Sequence, residues 1–139
     1  MKLSRTVSYA VQATLELAKS ESTVPVPCSQ LAAAGKMPER FLLQILRSLV
    51  THGILRSTRG VDGGYTLTRP AEEISLLELI EAIEGPLDSN GEPMFEGIPT
   101  WSRNRLQGAL REVTATTRRQ LESVKLSALL TETTAEQPA

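Results

Sequence analysis

Residues 28–53, CSQLAAAGKMPERFLLQILRSLVTHG, decide how this chain folds. Residues 28–34 favour a helix of barely two turns, and Gly35 supplies the stop. Pro38 then stands where a first-turn proline belongs, and a longer helix runs to His52 and halts at Gly53. On a helical wheel Phe41, Leu42, Ile45, Leu46 and Leu49 fill one broad face, while Arg40, Gln44, Arg47 and Thr51 line the other. One side is made to pack and the other to reach outward. A short helix, a glycine-containing turn and a longer helix with a basic outer stripe have the organisation of a helix-turn-helix.

Working outward, residues 54–58 and 65–69 have strand character and are joined by Arg59-Gly60-Val61-Asp62-Gly63-Gly64. A hairpin placed directly after the second helix of such a motif is a wing, and its glycines permit positive φ and close backbone approach. Ser75 and Glu78 have the spacing of a capping box ahead of Leu76, Leu77, Ile80 and Ile83, and Gly85-Pro86 ends that helix. Residues 86–100 hold Pro86, Pro93 and Pro99 and read as a loop. Beyond it Leu106, Leu110, Val113, Thr117, Leu121 and Val124 recur at steps of three or four, which predicts one long helix over 101–130. No later helix is long enough to cover that stripe, so a second copy of the chain is its expected partner. Upstream, Val7, Ala10, Val11, Thr14 and Ala18 mark a first helix over residues 4–19, and residues 131–139 read as a flexible tail.

The 139 residues and 40% hydrophobic content suit one compact head with a projecting element. Net charge is only −1, but the average hides a division. Residues 1–69 carry nine Lys or Arg against four acids, a surplus of +5, and residues 70–139 carry six against twelve, −6. A basic head on an acidic body is the asymmetry expected when one end meets phosphates. No apolar run approaches the roughly 18 residues a membrane span needs, and Met1-Lys2-Leu3-Ser4-Arg5 leads into an amphipathic helix without a signal-peptide pattern. A cytoplasmic location is the expectation. Cys28 is the single cysteine and His52 the single histidine, which leaves no CxxC, HExxH or multi-cysteine metal cage. With no Gly-rich phosphate loop and no GxSxG either, an enzyme is disfavoured.

Taken together, Tyr9-Ala10-Val11, Phe41-Leu42-Leu43-Gln44-Ile45-Leu46 and Arg59-Gly60-Val61-Asp62-Gly63-Gly64-Tyr65-Thr66-Leu67 resemble the Rrf-two family of bacterial winged-helix regulators, which includes IscR, NsrR and CymR. The resemblance covers roughly residues 1–85, and the segment from Trp101 onward is similar to the family's long C-terminal helix. It implies a homodimer on a partly palindromic operator. Several members hold an iron-sulfur cluster through three cysteines in the loop after the fourth helix, because thiolates bind the iron of such clusters. Here residues 86–96 read PLDSNGEPMFE, without a cysteine, so no cofactor is expected.

The expected architecture is therefore mainly α: a winged helix-turn-helix over 1–85 with a two-stranded β wing, a loop over 86–100, a dimerisation helix over 101–130 and a tail. The expected DNA contacts are Arg40, Gln44 and Arg47 on the third helix, with Arg56, Arg59, Gly60, Gly63 and Gly64 on the wing. Gln44 suits adenine, whose edge an amide can engage twice, although a solvated surface glutamine would look the same. Arg59 resembles the family's minor-groove arginine, the plain alternative being a turn-stabilising side chain. Cys28 falls on the inward face with Leu31 and Ala32 and reads as a small buried hydrophobe. His52 belongs to a helix C-terminus, and Trp101 reads as a packing residue. The resulting expectation is a sequence-specific transcriptional regulator, acting as a repressor. The alternative is a winged-helix module that docks proteins without touching DNA.

Overall fold

The computed structural model describes residues 1–19, 23–88 and 96–131. Helices α1 (Arg5–Lys19), α2 (Cys28–Gly35) and α3 (Glu39–Thr51) come first. A hairpin of β1 (Leu55–Thr58) and β2 (Gly64–Leu67) follows, then α4 (Leu76–Glu84), α5 (Thr100–Ser123) and α6 (Leu126–Leu130). This is the mainly helical winged architecture the sequence implies. The expected loop and tail lie partly outside the described residues, at 89–95 and 132–139.

The start of α1 is capped by Ser4, whose Oγ accepts from the Val7 amide at 3.2 Å. Val7, Ala10, Ala13, Thr14 and Leu17 form its buried stripe. Thr14, though polar, is satisfied in the core because its hydroxyl donates to the Ala10 carbonyl at 2.9 Å. The main core gathers Leu31 of α2, Leu42, Ile45, Leu46 and Leu49 of α3, then Ile54, Leu55, Ile74, Leu79 and Leu126. At α4 the expected capping box is formed. Ser75 Oγ accepts from the Glu78 amide at 3.2 Å, and the Ser75 amide donates back to Glu78 Oε2 at 2.9 Å.

Four local expectations need correction. The left-handed residue that ends α2 is Lys36, at φ 53°, and Gly35 is still helical. The turn is closed by main-chain bonds, including Met37 N to Ala32 O at 2.8 Å, which hold a non-glycine residue in that conformation. Phe41, assigned to the packing face, is 64% exposed. It is the third residue of α3 and lies about 60° from Gln44 around the helix axis, on the rim of the apolar arc.

The third correction concerns the long helix, which divides. Val124 and Lys125 are extended, and α6 begins at Leu126. No proline or glycine marks the break. The backbone there pairs with the entry to α4: Leu76 N donates to Val124 O at 2.8 Å and Leu126 N to Ile74 O at 2.9 Å. With Leu126 fully buried, these tertiary bonds outweigh continued helix. Accordingly the expected dimer stripe divides too. Leu121 packs with Val7, Leu77 and Ile80 of its own chain, Thr117 and Val124 are half-buried, and Leu106 is half-buried nearer the helix start. Leu110 and Val113 are exposed, at 43% and 62%. Trp101 is also exposed, with the Arg105 guanidinium 5.5 Å from its ring centre, so it does not pack into the core.

Candidate nucleic-acid interface

The outer stripe of α3 is formed as the periodicity implies. Arg40, Gln44, Arg47 and Thr51 are all exposed, while Leu42, Ile45, Leu46 and Leu49 are buried behind them. The helix is closed by His52, whose Nδ1 lies 2.8 Å from the Ser48 carbonyl. This is the capping role expected of it.

The wing is an antiparallel pair in the register Leu55↔Leu67, Arg56↔Thr66, Ser57↔Tyr65 and Thr58↔Gly64. A third segment holds it. Val26 N donates to Tyr65 O at 3.0 Å and Tyr65 N to Val26 O at 2.9 Å, which ties β2 to the residues just before α2. The glycines make these approaches possible. A Cβ on Gly64 would stand 2.4 Å from the Val26 carbonyl carbon, and one on Gly63 would stand 2.2 Å from the Thr58 carbonyl oxygen. Gly60 is exposed at the tip, and its carbonyl accepts from the Gly63 amide at 3.0 Å. Gly63 and Gly64 thus shape and seat the wing. Val26 has no local sequence signal, since its partner is far along the chain.

Tyr65 joins the wing to the helix-turn-helix. Burial pushes its hydroxyl above the ordinary tyrosine value; Cys28 pushes the same way, and the nearby Arg47 charge opposes both. The Cys28 thiol is likewise raised, first by burial and then by Glu39, and Sγ lies 3.8 Å from the Glu39 carbonyl oxygen. A raised thiol is a poor nucleophile and a poor metal ligand, in keeping with a packing role.

Arg56 on β1 and Arg59 just beyond it are exposed, like Arg40 and Arg47. Arg56 additionally lines a cleft of about 400 Å³ with Tyr65, Leu67 and Glu72. Ion pairs are formed by Lys19–Glu16, Arg69–Glu78 and Arg118–Glu81. None uses an arginine of this face, so its four guanidinium groups keep their charge for an anionic partner. The other notable polar cluster was not foreseen. Glu81 accepts from Arg118 at 2.6 Å and from the Leu87 amide at 2.8 Å, and Arg118 also donates to the Leu87 carbonyl at 3.1 Å. This staple fixes the end of α4 and the start of the following loop onto α5.

A helix-turn-helix with a braced wing and an exposed basic stripe on its second helix defines the winged-helix class of transcriptional regulators. Comparison with known proteins narrows the class. The chain belongs to the Rrf2 family, described as iron-dependent transcriptional regulators, which matches residues 3–132. It is similar to a Mycobacterium tuberculosis protein named as an HTH-type transcriptional regulator, at 44% identity over 89 residues, 64% of this chain and 55% of that protein. The chain thus matches little more than half the length of that relative. Against CymR of Bacillus subtilis it is 29% identical, covering 100% of this chain and 96% of the relative. The solved structure of B. subtilis CymR, the global cysteine regulator of that organism, superimposes with a TM-score of 0.73 at 25% identity, covering 94% of this chain and 96% of CymR. The solved structure of T. potens IscR gives 0.72 at 25% identity, covering 100% and 93%. The members named in these comparisons are regulators of transcription and not enzymes.

The donor set here does not suit an iron-sulfur centre. The sequence has one cysteine, and that cysteine is half-buried in α2. Among the described residues no group of three or more His, Cys, Asp or Glu is placed to hold a metal ion. None of their helices is long and apolar enough to cross a membrane.

Proposed function

We propose that the chain is a cytoplasmic, sequence-specific DNA-binding repressor that engages a partly palindromic operator as a homodimer. The observation that carries this reading is the exposed set Arg40, Gln44, Arg47, Arg56 and Arg59 on α3 and the wing, with none of the arginines in an ion pair among the described residues. A helix with an amide at the centre of its outer face and arginines on either side suits a major groove: the amide reads a base edge and the arginines hold phosphates or guanine. Arg59 at the wing suits the adjacent minor groove. Leu110 and Val113 on α5 are exposed apolar residues that a second copy would cover, setting two heads at half-site spacing. An occupied operator blocks polymerase, and repression is the simplest result.

The deciding experiment measures binding to random and selected duplexes across a salt series. Binding that weakens steeply with salt and favours particular sequences supports the proposal. No binding to any duplex at low salt overturns it in favour of a protein-docking winged helix.

A further inference from the structure

Phe41 is the one large apolar side chain exposed on α3, at 64%, among residues otherwise suited to nucleic acid. Its burial was expected from the helical pattern, and its exposure demands a reason, because leaving a phenylalanine in water forfeits the gain of packing it. It lies in the first turn of α3, one turn before Gln44 and directly after Arg40. In helix-turn-helix docking the N-terminal residues of the second helix are the ones that reach base edges. The apolar group a major groove offers is the C5-methyl of thymine.

We propose that Phe41 is a specificity-determining residue that packs on a thymine methyl within each half-site, beside the base read by Gln44. The inference rests on the DNA-binding reading above and assigns part of its sequence preference. Arg40 and Arg47, exposed on the same helix, carry the positive charge that would bring the duplex to this surface. Phe41 then supplies what charge cannot, a distinction between pyrimidines that differ by a methyl group. Its loss should leave the head folded, because the side chain is exposed and takes no part in the core.

The test replaces each thymine of a selected operator with deoxyuracil, which removes only the methyl, and measures affinity for the parent chain and for Phe41→Ala. One thymine per half-site should lose about fourfold in affinity with the parent chain, the value of one buried methyl-sized group. Phe41→Ala should bind the thymine and deoxyuracil operators equally, with an unchanged melting temperature. If the parent binds its operator but no deoxyuracil replacement weakens it, or if both proteins lose affinity alike, the assignment of Phe41 is overturned while DNA binding stands. If the parent binds no duplex, the DNA-binding reading falls and this inference with it.

Discussion

Val26 and Tyr65 exchange two backbone hydrogen bonds, of 3.0 and 2.9 Å, and so lock the wing to the segment that launches α2. The approach depends on Gly64, where a side chain would meet the Val26 backbone at 2.4 Å. Gly64→Ala should therefore cost about 1–3 kcal/mol of stability. It should also weaken binding to every duplex, because the wing loses its seat. Urea unfolding and anisotropy titrations check both effects. A variant as stable as the parent would show that the strand contact yields easily.

Base readout and phosphate attraction should separate cleanly between two residues. Gln44→Ala should lose about 1–3 kcal/mol on the best operator and relax preference at one or two base pairs per half-site, with non-specific binding nearly untouched. Arg59→Ala should weaken binding to most sequences and make its salt dependence shallower. Affinities for operator and scrambled duplexes at several salt concentrations distinguish the two patterns, and identical behaviour would remove the division of labour.

Because Leu121 and Leu126 are buried in the head, deleting everything from residue 101 would damage the DNA-binding unit itself. Point changes at the exposed positions give the cleaner test of dimerisation. Leu110→Glu with Val113→Glu should sediment as a 15.1 kDa monomer with little change in melting temperature. Leu126→Ala should instead lose about 2–5 kcal/mol of stability, as expected for a buried leucine. A double variant that stays dimeric would place the partner contact elsewhere.

Stability should fall in acid through the Glu81 staple. Burial acts to raise the Glu81 carboxyl, but hydrogen bonds from Arg118 and the Leu87 amide outweigh it and hold the carboxyl below the ordinary value of 4.5. A lowered folded value means the stabilisation is present above about pH 4.5 and is lost as pH drops through the lowered value. Melting temperatures from pH 7 down to pH 3 should thus decline less steeply for Glu81→Gln than for the parent. Parallel curves would assign the acid sensitivity to other groups.

Purified protein should be colourless and free of iron, even when produced without oxygen. One half-buried cysteine cannot hold an iron-sulfur cluster. Visible absorption of the iron-sulfur type with stoichiometric iron and sulfide would contradict this.

What the sequence made legible follows the range of each interaction. The outer stripe of α3 and the Ser75–Glu78 capping box are local patterns, and both formed. Phe41 was misassigned because a wheel marks the rim of an apolar arc as readily as its centre. The break after Ser123 has no local mark at all, since it is made by Ile74 and Leu76, distant in sequence but adjacent in space. The exposure of Arg40, Gln44 and Arg47 on α3 was legible in the helical period; the Val26 brace was not, for the same reason as the break.

The insertion of Leu126 between α1 and the entry to α4 also sets the order of events at the ribosome. The main core has a vacancy until residue 126 has left the exit tunnel, and only then can Leu126 N reach Ile74 O. Loop closure over so long a span is slow compared with forming α2 and α3. The packing behind the exposed stripe of α3 is therefore completed only after α5 has been made. A chain that ends before that point leaves unfilled the place that the fully buried Leu126 side chain takes in the core.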